Sequence, residues 1–206
     1  MYRQDETELR TAMERLERWF AKNVDGRFFN GGTPSVDGPL GAFLARWNGQ
    51  RTEDVPFWEA FYLLGAEHVG REKEMMDGLA REGDWPDTWW DPDWTPFATD
   101  TMGQLLVLET STGKVIEFIH DDEPRPEHGE TLEGCLASYA DELESGRRAL
   151  RDAYIVDLEE HAASLERAER REAQRAQERG KATRTIVVMG ILFVVVLSLL
   201  FWLAPG

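Results

Sequence analysis

The run from Ile186 to Ala204, IVVMGILFVVVLSLLFWLA, is nineteen residues long and carries no charge. At about 1.5 Å of rise per residue, a helix of that length spans close to the hydrocarbon core of a bilayer. A helix packed on the side of a water-soluble core keeps one polar face, and this run has none; Gly190 and Ser198 do not spoil it. The sequence therefore predicts one transmembrane helix over 186–204. Arg167, Arg170, Arg171, Arg175, Arg179, Lys181 and Arg184 all precede it and only Pro205 and Gly206 follow, so the positive-inside bias places the N-terminal part in the cytoplasm. The opening residues, MYRQDETELR, hold no apolar stretch of the kind a cleaved secretory signal needs. The expected topology is single-pass and tail-anchored.

The rest of the chain divides by charge. Residues 1–160 carry 16 Lys and Arg against 35 Asp and Glu, a net of −19, whereas the remainder carries 7 against 4, a net of +3. So acidic a domain repels phosphate backbones, which disfavours nucleic acid as a partner, and its field steers basic proteins toward it. The same charge also keeps a domain soluble. A single cysteine, Cys135, excludes an intramolecular disulfide and a cysteine-based zinc site, and its apolar helical surroundings mark it as a packing residue in a reducing compartment.

Periodicity outlines one domain. Leu9, Met13, Leu16, Trp19 and Phe20 fall on one face of a helix over Thr7 to Lys22, and glycines and prolines between Asn23 and Pro39 end it. A second short helix is predicted from Pro39 to Trp47, stopped by Asn48-Gly49. Phe57 to Leu64, Gly103 to Glu109 and Lys114 to His120 read as strands. The last two flank Thr110-Ser111-Thr112-Gly113, which suits an antiparallel hairpin at the centre of a sheet. Thr131 opens a helix whose buried stripe is Leu132, Leu136, Tyr139, Ala140 and Leu143, and the domain is expected to close at Gly146.

Beyond it, residues 147–185 gain Ala, Glu, Arg and Gln and read as a solvated helical stalk, with Glu166 and Arg170 four residues apart on one face. Leu150, Tyr154, Leu158 and Leu165 form a thin seam by which two stalks could pair as a homodimer, although alanine at later seam positions leaves few strong heptads. The organisation expected is a domain over 1–146, a stalk over 147–185 and the membrane helix over 186–204.

Two polar clusters are candidates for function. Asp84 to Asp100, DWPDTWWDPDWTPFATD, combines five aspartates with four tryptophans and fits no calcium-loop template. Trp85, Trp89, Trp90 and Trp94 are expected chiefly to fill the core beneath a proline-rich loop, with one or two, Trp89 or Trp90, left as interface anchors. The second cluster, His120, Asp121, Asp122, Glu123 and His128, has side chains suited to a divalent metal or to acid/base work, but Pro124 and Pro126 favour an acidic surface loop. No P-loop, dinucleotide fingerprint, nucleophile elbow or HExxH helix is present, so neither an enzyme nor a cofactor or metal is expected. An enzyme using the carboxylates near Asp91 or Asp121 is supported by residue type alone.

Trp94-Thr95-Pro96-Phe97-Ala98-Thr99-Asp100, followed by Gly103-Gln104-Leu105 and Gly113-Lys114-Val115, resembles the central motif of the SUKH superfamily, in its SMI/KNR family. Pro39 to Leu44 with Trp47-Asn48-Gly49 resembles that family's helix ending in asparagine-glycine, and Leu136 to Gly146 resembles its closing helix. Thr101-Met102 stand where the family often has glycines, and Glu109 where aspartate is common. The resemblance covers about Thr7 to Gly146. It implies an α+β fold, a central and mainly antiparallel sheet flanked by helices, and a non-enzymatic protein-binding role; many bacterial members are immunity proteins that neutralise polymorphic toxins, often nucleases.

Together these readings predict a membrane-tethered protein-binding module, an immunity protein against a basic toxin. Its expected contact surface is Asp84, Asp87, Asp91, Asp93, Asp121, Asp122 and Glu123, with Trp89 or Trp90 at its centre. The alternative is a membrane-associated scaffold or regulatory adaptor that recruits cytoplasmic proteins.

Overall fold

Leu9, Ala12, Met13, Leu16 and Phe20 recur at three- and four-residue spacing and are all buried, which makes α1 (Tyr2–Asn23) an amphipathic helix with one face committed to the core. A computed structural model describes residues 2–24, 26–32, 38–83, 86, 88–120 and 125–175. The segment 186–204 and Arg179, Lys181 and Arg184 lie outside these, as do Asp84, Trp85, Asp87, Asp121, Asp122 and Glu123. Among the described residues no helix is long and apolar enough to cross a membrane.

After α1 come α2 (Gly38–Arg46), β1 (Tyr62–Leu63), α3 (Ala66–Glu82), β2 (Trp94–Thr99), β3 (Leu105–Glu109), β4 (Val115–Phe118), β5 (Glu127–Gly129) and α4 (Leu132–Glu144). β1 to β5 form one antiparallel sheet in sequence order, with β3 at its centre. The hairpin expected at Thr110 to Gly113 joins β3 to β4, and Gly113 takes the positive φ (+86°) that the turn requires. α4 starts where Thr131 accepts a hydrogen bond from the Gly134 N–H, an N-cap. This is the mixed antiparallel sheet and helix architecture that the sequence predicts.

β3 reads LLVL because both sheet faces are covered. Leu106 and Leu108 point into the main core with α1, α2 and α4, while Leu105 and Val107 join Ile116, Phe118, Met76 of α3 and Trp89, Trp90 and Trp94 on the opposite face. The aromatic heart of the main core is Trp47, stacked on Phe29 at 4.1 Å and edge-on to Phe43 and Phe57. Tyr139, fully buried, donates its hydroxyl hydrogen to the Phe57 carbonyl at 2.6 Å.

Two expectations need correction, and two elements carry no expectation from the sequence. Of the strand expected over Phe57 to Leu64, only β1 forms; Phe57, Trp58 and Phe61 are all buried in a tight turn in which Phe61 N–H donates to the Trp58 carbonyl, so their aromatic content reflects core filling and not pleating. α3 is unanticipated because it buries only Val69 and Met76 and contains Gly70 and Gly78. β2 lies inside the sheet despite Pro96, because a register shift between Pro96 and Ala98 accommodates the missing N–H.

Lastly, the chain over 148–157 is not stalk helix but a hairpin of β6 (Arg148–Arg151) and β7 (Tyr154–Asp157). Its two-residue turn, Asp152 (φ 47°) and Ala153 (φ 69°), is of the type I′ class. Ile155 is buried in the main core, so the first compact unit runs to Leu158 and not to Gly146. In the second unit the described chain is helical to residue 175, and Arg170 pairs with Glu166 as the spacing predicts.

Candidate interaction face

The tryptophan-rich segment lies on the sheet face away from α1. Trp90 stands edge-on to Trp94 (5.6 Å, 89°) and Phe118 (5.3 Å, 89°), and Trp89 edge-on to Phe118 (5.4 Å, 85°). Trp89 and Trp90 are 8% and 3% exposed, so both are core residues and neither stands out as a surface anchor. Their indole hydrogens are satisfied locally: Trp90 donates to Asp77 Oδ1 of α3 at 2.8 Å and Trp89 to the His120 carbonyl at 3.1 Å.

Two cations fasten the segment down. Lys73 Nζ reaches both Asp77 oxygens at 3.0 Å and the Pro92 carbonyl at 2.7 Å. Arg125 donates to the carbonyls of Thr88 (2.9 Å) and Trp89 (2.6 Å), and its guanidinium lies 5.0 Å from the Trp94 ring and 4.8 Å from Phe118. Of the predicted acidic contact residues within the described chain, Asp91 is exposed and accepts from the Asp93 N–H at 2.9 Å. Asp93 is half-buried and accepts from the Ser111 N–H at 2.8 Å, which ties the segment to the β3–β4 turn. Asp84, Asp87, Asp121, Asp122 and Glu123 lie outside the described residues, but the residues flanking them, Thr88 and Trp89 on one side and His120 and Arg125 on the other, are bonded to one another.

His128 Nε2 lies 2.9 Å from Glu117 Oε2, and both side chains are largely buried against the sheet. Among the described residues no group of three metal-ligating side chains converges.

A second feature is an open cleft of about 610 Å³ between the loop after α2, β1 and the start of α3, lined by Asn48, Gln50, Tyr62, His68 and Thr99 among others. Asn48 does more here than stop α2. Its Oδ1 accepts from the Ala66 N–H at 2.7 Å and so caps α3 from a distant loop, since Gly65 at the N-cap has no side chain to offer. Gln50 Oε1 accepts from the Leu63 N–H at 2.9 Å, and its Nε2 donates to the Thr52 and Val55 carbonyls. Gly49 has φ +80°, and a Cβ there would meet the Gly65 backbone nitrogen at 2.8 Å. The sequence signal for this node was Asn48-Gly49 alone; Gln50 and Tyr62 carry no motif.

The family model for the SMI1 / KNR4 family (SUKH-1) matches residues 18–138, from the second half of α1 to the middle of α4. The chain belongs to this family. The SUKH-1 match encloses the Asn48 node, the tryptophan segment and the central hairpin, and ends inside the Leu136 to Gly146 helix that the resemblance also covers. The family includes immunity proteins against polymorphic toxins. No curated protein matches the chain.

Proposed function

We propose that this SUKH-1 chain is an immunity protein, tethered to a membrane by its 186–204 segment, whose acidic domain binds and blocks a basic toxin in the cytoplasm. The observation that carries the reading is the clamp formed by Arg125 and Trp89. By joining Thr88 and Trp89 to His120 and Arg125, it brings together the flanks of the two aspartate-rich runs in a domain of net charge −19 over residues 1–160. Opposite fields facing across a solvent gap raise association rates, and an acidic face is suited to occluding a basic nuclease site. Trp89 and Trp90 serve that face from beneath, as the rigid support of the loop. The contact surface proposed is Asp91 with Asp84, Asp87, Asp121, Asp122 and Glu123.

The adaptor reading shares the tether, a basic stretch over 167–184 before an uncharged run. Affinity capture of the full chain from membranes separates the two. Recovery of a basic toxin, with association slowed and its salt dependence flattened by Asp121→Lys with Asp122→Lys, supports the immunity reading. Recovery of endogenous housekeeping proteins with no toxin supports the adaptor.

A further inference from the structure

One cleft runs against the charge of the whole molecule. It measures about 520 Å³ and lies between the C-terminal half of α1 and β6. Arg15, Arg18, Lys22, Arg148 and Arg151 line it, and Glu144 is its one acidic lining residue. In a chain with 39 acidic and 23 basic residues, five cations around one cleft with a single acidic lining residue reverse the net charge locally. Among the described residues Arg18, Lys22 and Arg151 make no ion pair, and each is exposed.

The other two cations are fixed in place. Arg15 is held by Asp141 and Glu144, both at 2.5 Å, and Arg148 by Glu59 and Glu142, both at 2.6 Å. These pairs engage the nearby carboxylates directly; Arg18 attracts Glu17 and Glu144 through space without a contact pair, so none of Arg18, Lys22 and Arg151 is held in one. The cations come from two rigid elements: Arg18 and Lys22 lie four residues apart on one face of α1, and Arg151 ends β6 beside the type I′ turn. Half-buried Trp19 and Leu150 give the cleft an apolar wall fixed to the main core.

We infer that this cleft is an anion site for a phosphoryl group, with Arg18, Lys22 and Arg151 as its ligands. Three cations held in no contact pair suit a multiply charged anion; a phosphomonoester carries about −1.5 to −2 at neutral pH, while a carboxylate carries one charge. Guanidinium groups also match phosphate oxygens in geometry. The long-range field of the domain repels anions, so recognition here is short-range and confined to the cleft. A soluble phosphate compound or a phospholipid headgroup supplies the same chemistry.

Calorimetric titration of the full-length chain with inorganic pyrophosphate, and in parallel with dihexanoyl phosphatidic acid below its micelle concentration, tests the site. The expected result is saturable binding at one site. It weakens at least about tenfold in Arg18→Ser/Lys22→Ser/Arg151→Ser and is unchanged in the control Arg71→Ser/Lys114→Ser, whose cations pair elsewhere with Glu67 and Glu127. All three site residues are exposed, so the triple variant keeps its fold, which circular dichroism verifies. Tighter binding of pyrophosphate identifies a soluble ligand, and tighter binding of the lipid a headgroup; either supports the site. Absence of saturation, a triple variant that binds like wild type, or a control that loses as much as the triple variant overturns the inference.

Discussion

Replacing Gly49 by alanine tests whether the loop after α2 is built as tightly as the structure shows. The residue sits at φ +80°, where an L side chain costs about 1–2 kcal/mol. The added Cβ would stand 2.8 Å from Gly65 N, 3.2 Å from Gly65 Cα and 3.3 Å from the Leu63 carbonyl oxygen. All three are backbone atoms, so no side chain can swing away, and Gly65 is held because Ala66 donates to Asn48. Overpacking of this kind costs about 1–3 kcal/mol, giving a combined loss of about 2–5 kcal/mol. That is a large share of the roughly 5–15 kcal/mol that stabilises a domain. Urea unfolding followed by tryptophan fluorescence reads it: with a slope of about 2 kcal/mol/M, the midpoint should fall by about 1–2.5 M. Gly70→Ala is the opposite-sign control, because a Cβ there meets nothing within 4 Å and α3 gains about 0.4–1 kcal/mol from a better helix former. A Gly49→Ala midpoint within about 0.2 M of wild type, a difference of about 0.4 kcal/mol at that slope, would refute the packing argument.

Three further outcomes follow from the same structure. Tyr139→Phe leaves the buried Phe57 carbonyl without its donor and should lower unfolding free energy by about 1–3 kcal/mol in the same assay. Arg125→Met removes both bonds to the Thr88 and Trp89 carbonyls, and should cost about 1–3 kcal/mol while tryptophan emission shifts to the red and acrylamide quenching increases. Burial pushes the Glu17 carboxyl up, but hydrogen bonds from Arg46 and Trp47 outweigh it and hold the carboxyl below its ordinary range. A depressed carboxyl stabilises the fold above its unfolded pKa, and the stabilisation is lost as pH falls through the folded value; Glu17→Gln should therefore flatten the acid limb of a stability-against-pH curve.

Much of this architecture is legible in the sequence where one rule acts alone. α1, α2 and α4 each bury a single stripe, so their period shows directly, and the β3–β4 hairpin is marked by two apolar runs about a turn ending in Gly113. The rest is hidden where tertiary context overrides local pattern. Pro96 argues against a central strand until the bulge beside it is seen, and α3 contributes too few buried residues to show a period. β6 and β7 are short and half polar, with Ile155 the one fully buried residue, and their arginines and aspartates resemble a solvated helix. At the interaction face the tryptophans and aspartates are visible as a composition, but their division of labour is not. Arg125 reaches back 36 and 37 residues to hold Trp89 and Thr88, and Asn48 reaches forward 18 to cap α3. Such long-range bonds leave no local signature.

Growth measured during co-expression tests whether the acidic domain neutralises a toxin. The full-length chain is expressed in a sensitive host together with the candidate toxin encoded beside it. Growth should be restored by the wild-type chain and reduced again when Asp121→Lys and Asp122→Lys are introduced together. Continued growth arrest in the presence of the folded wild-type chain would contradict it.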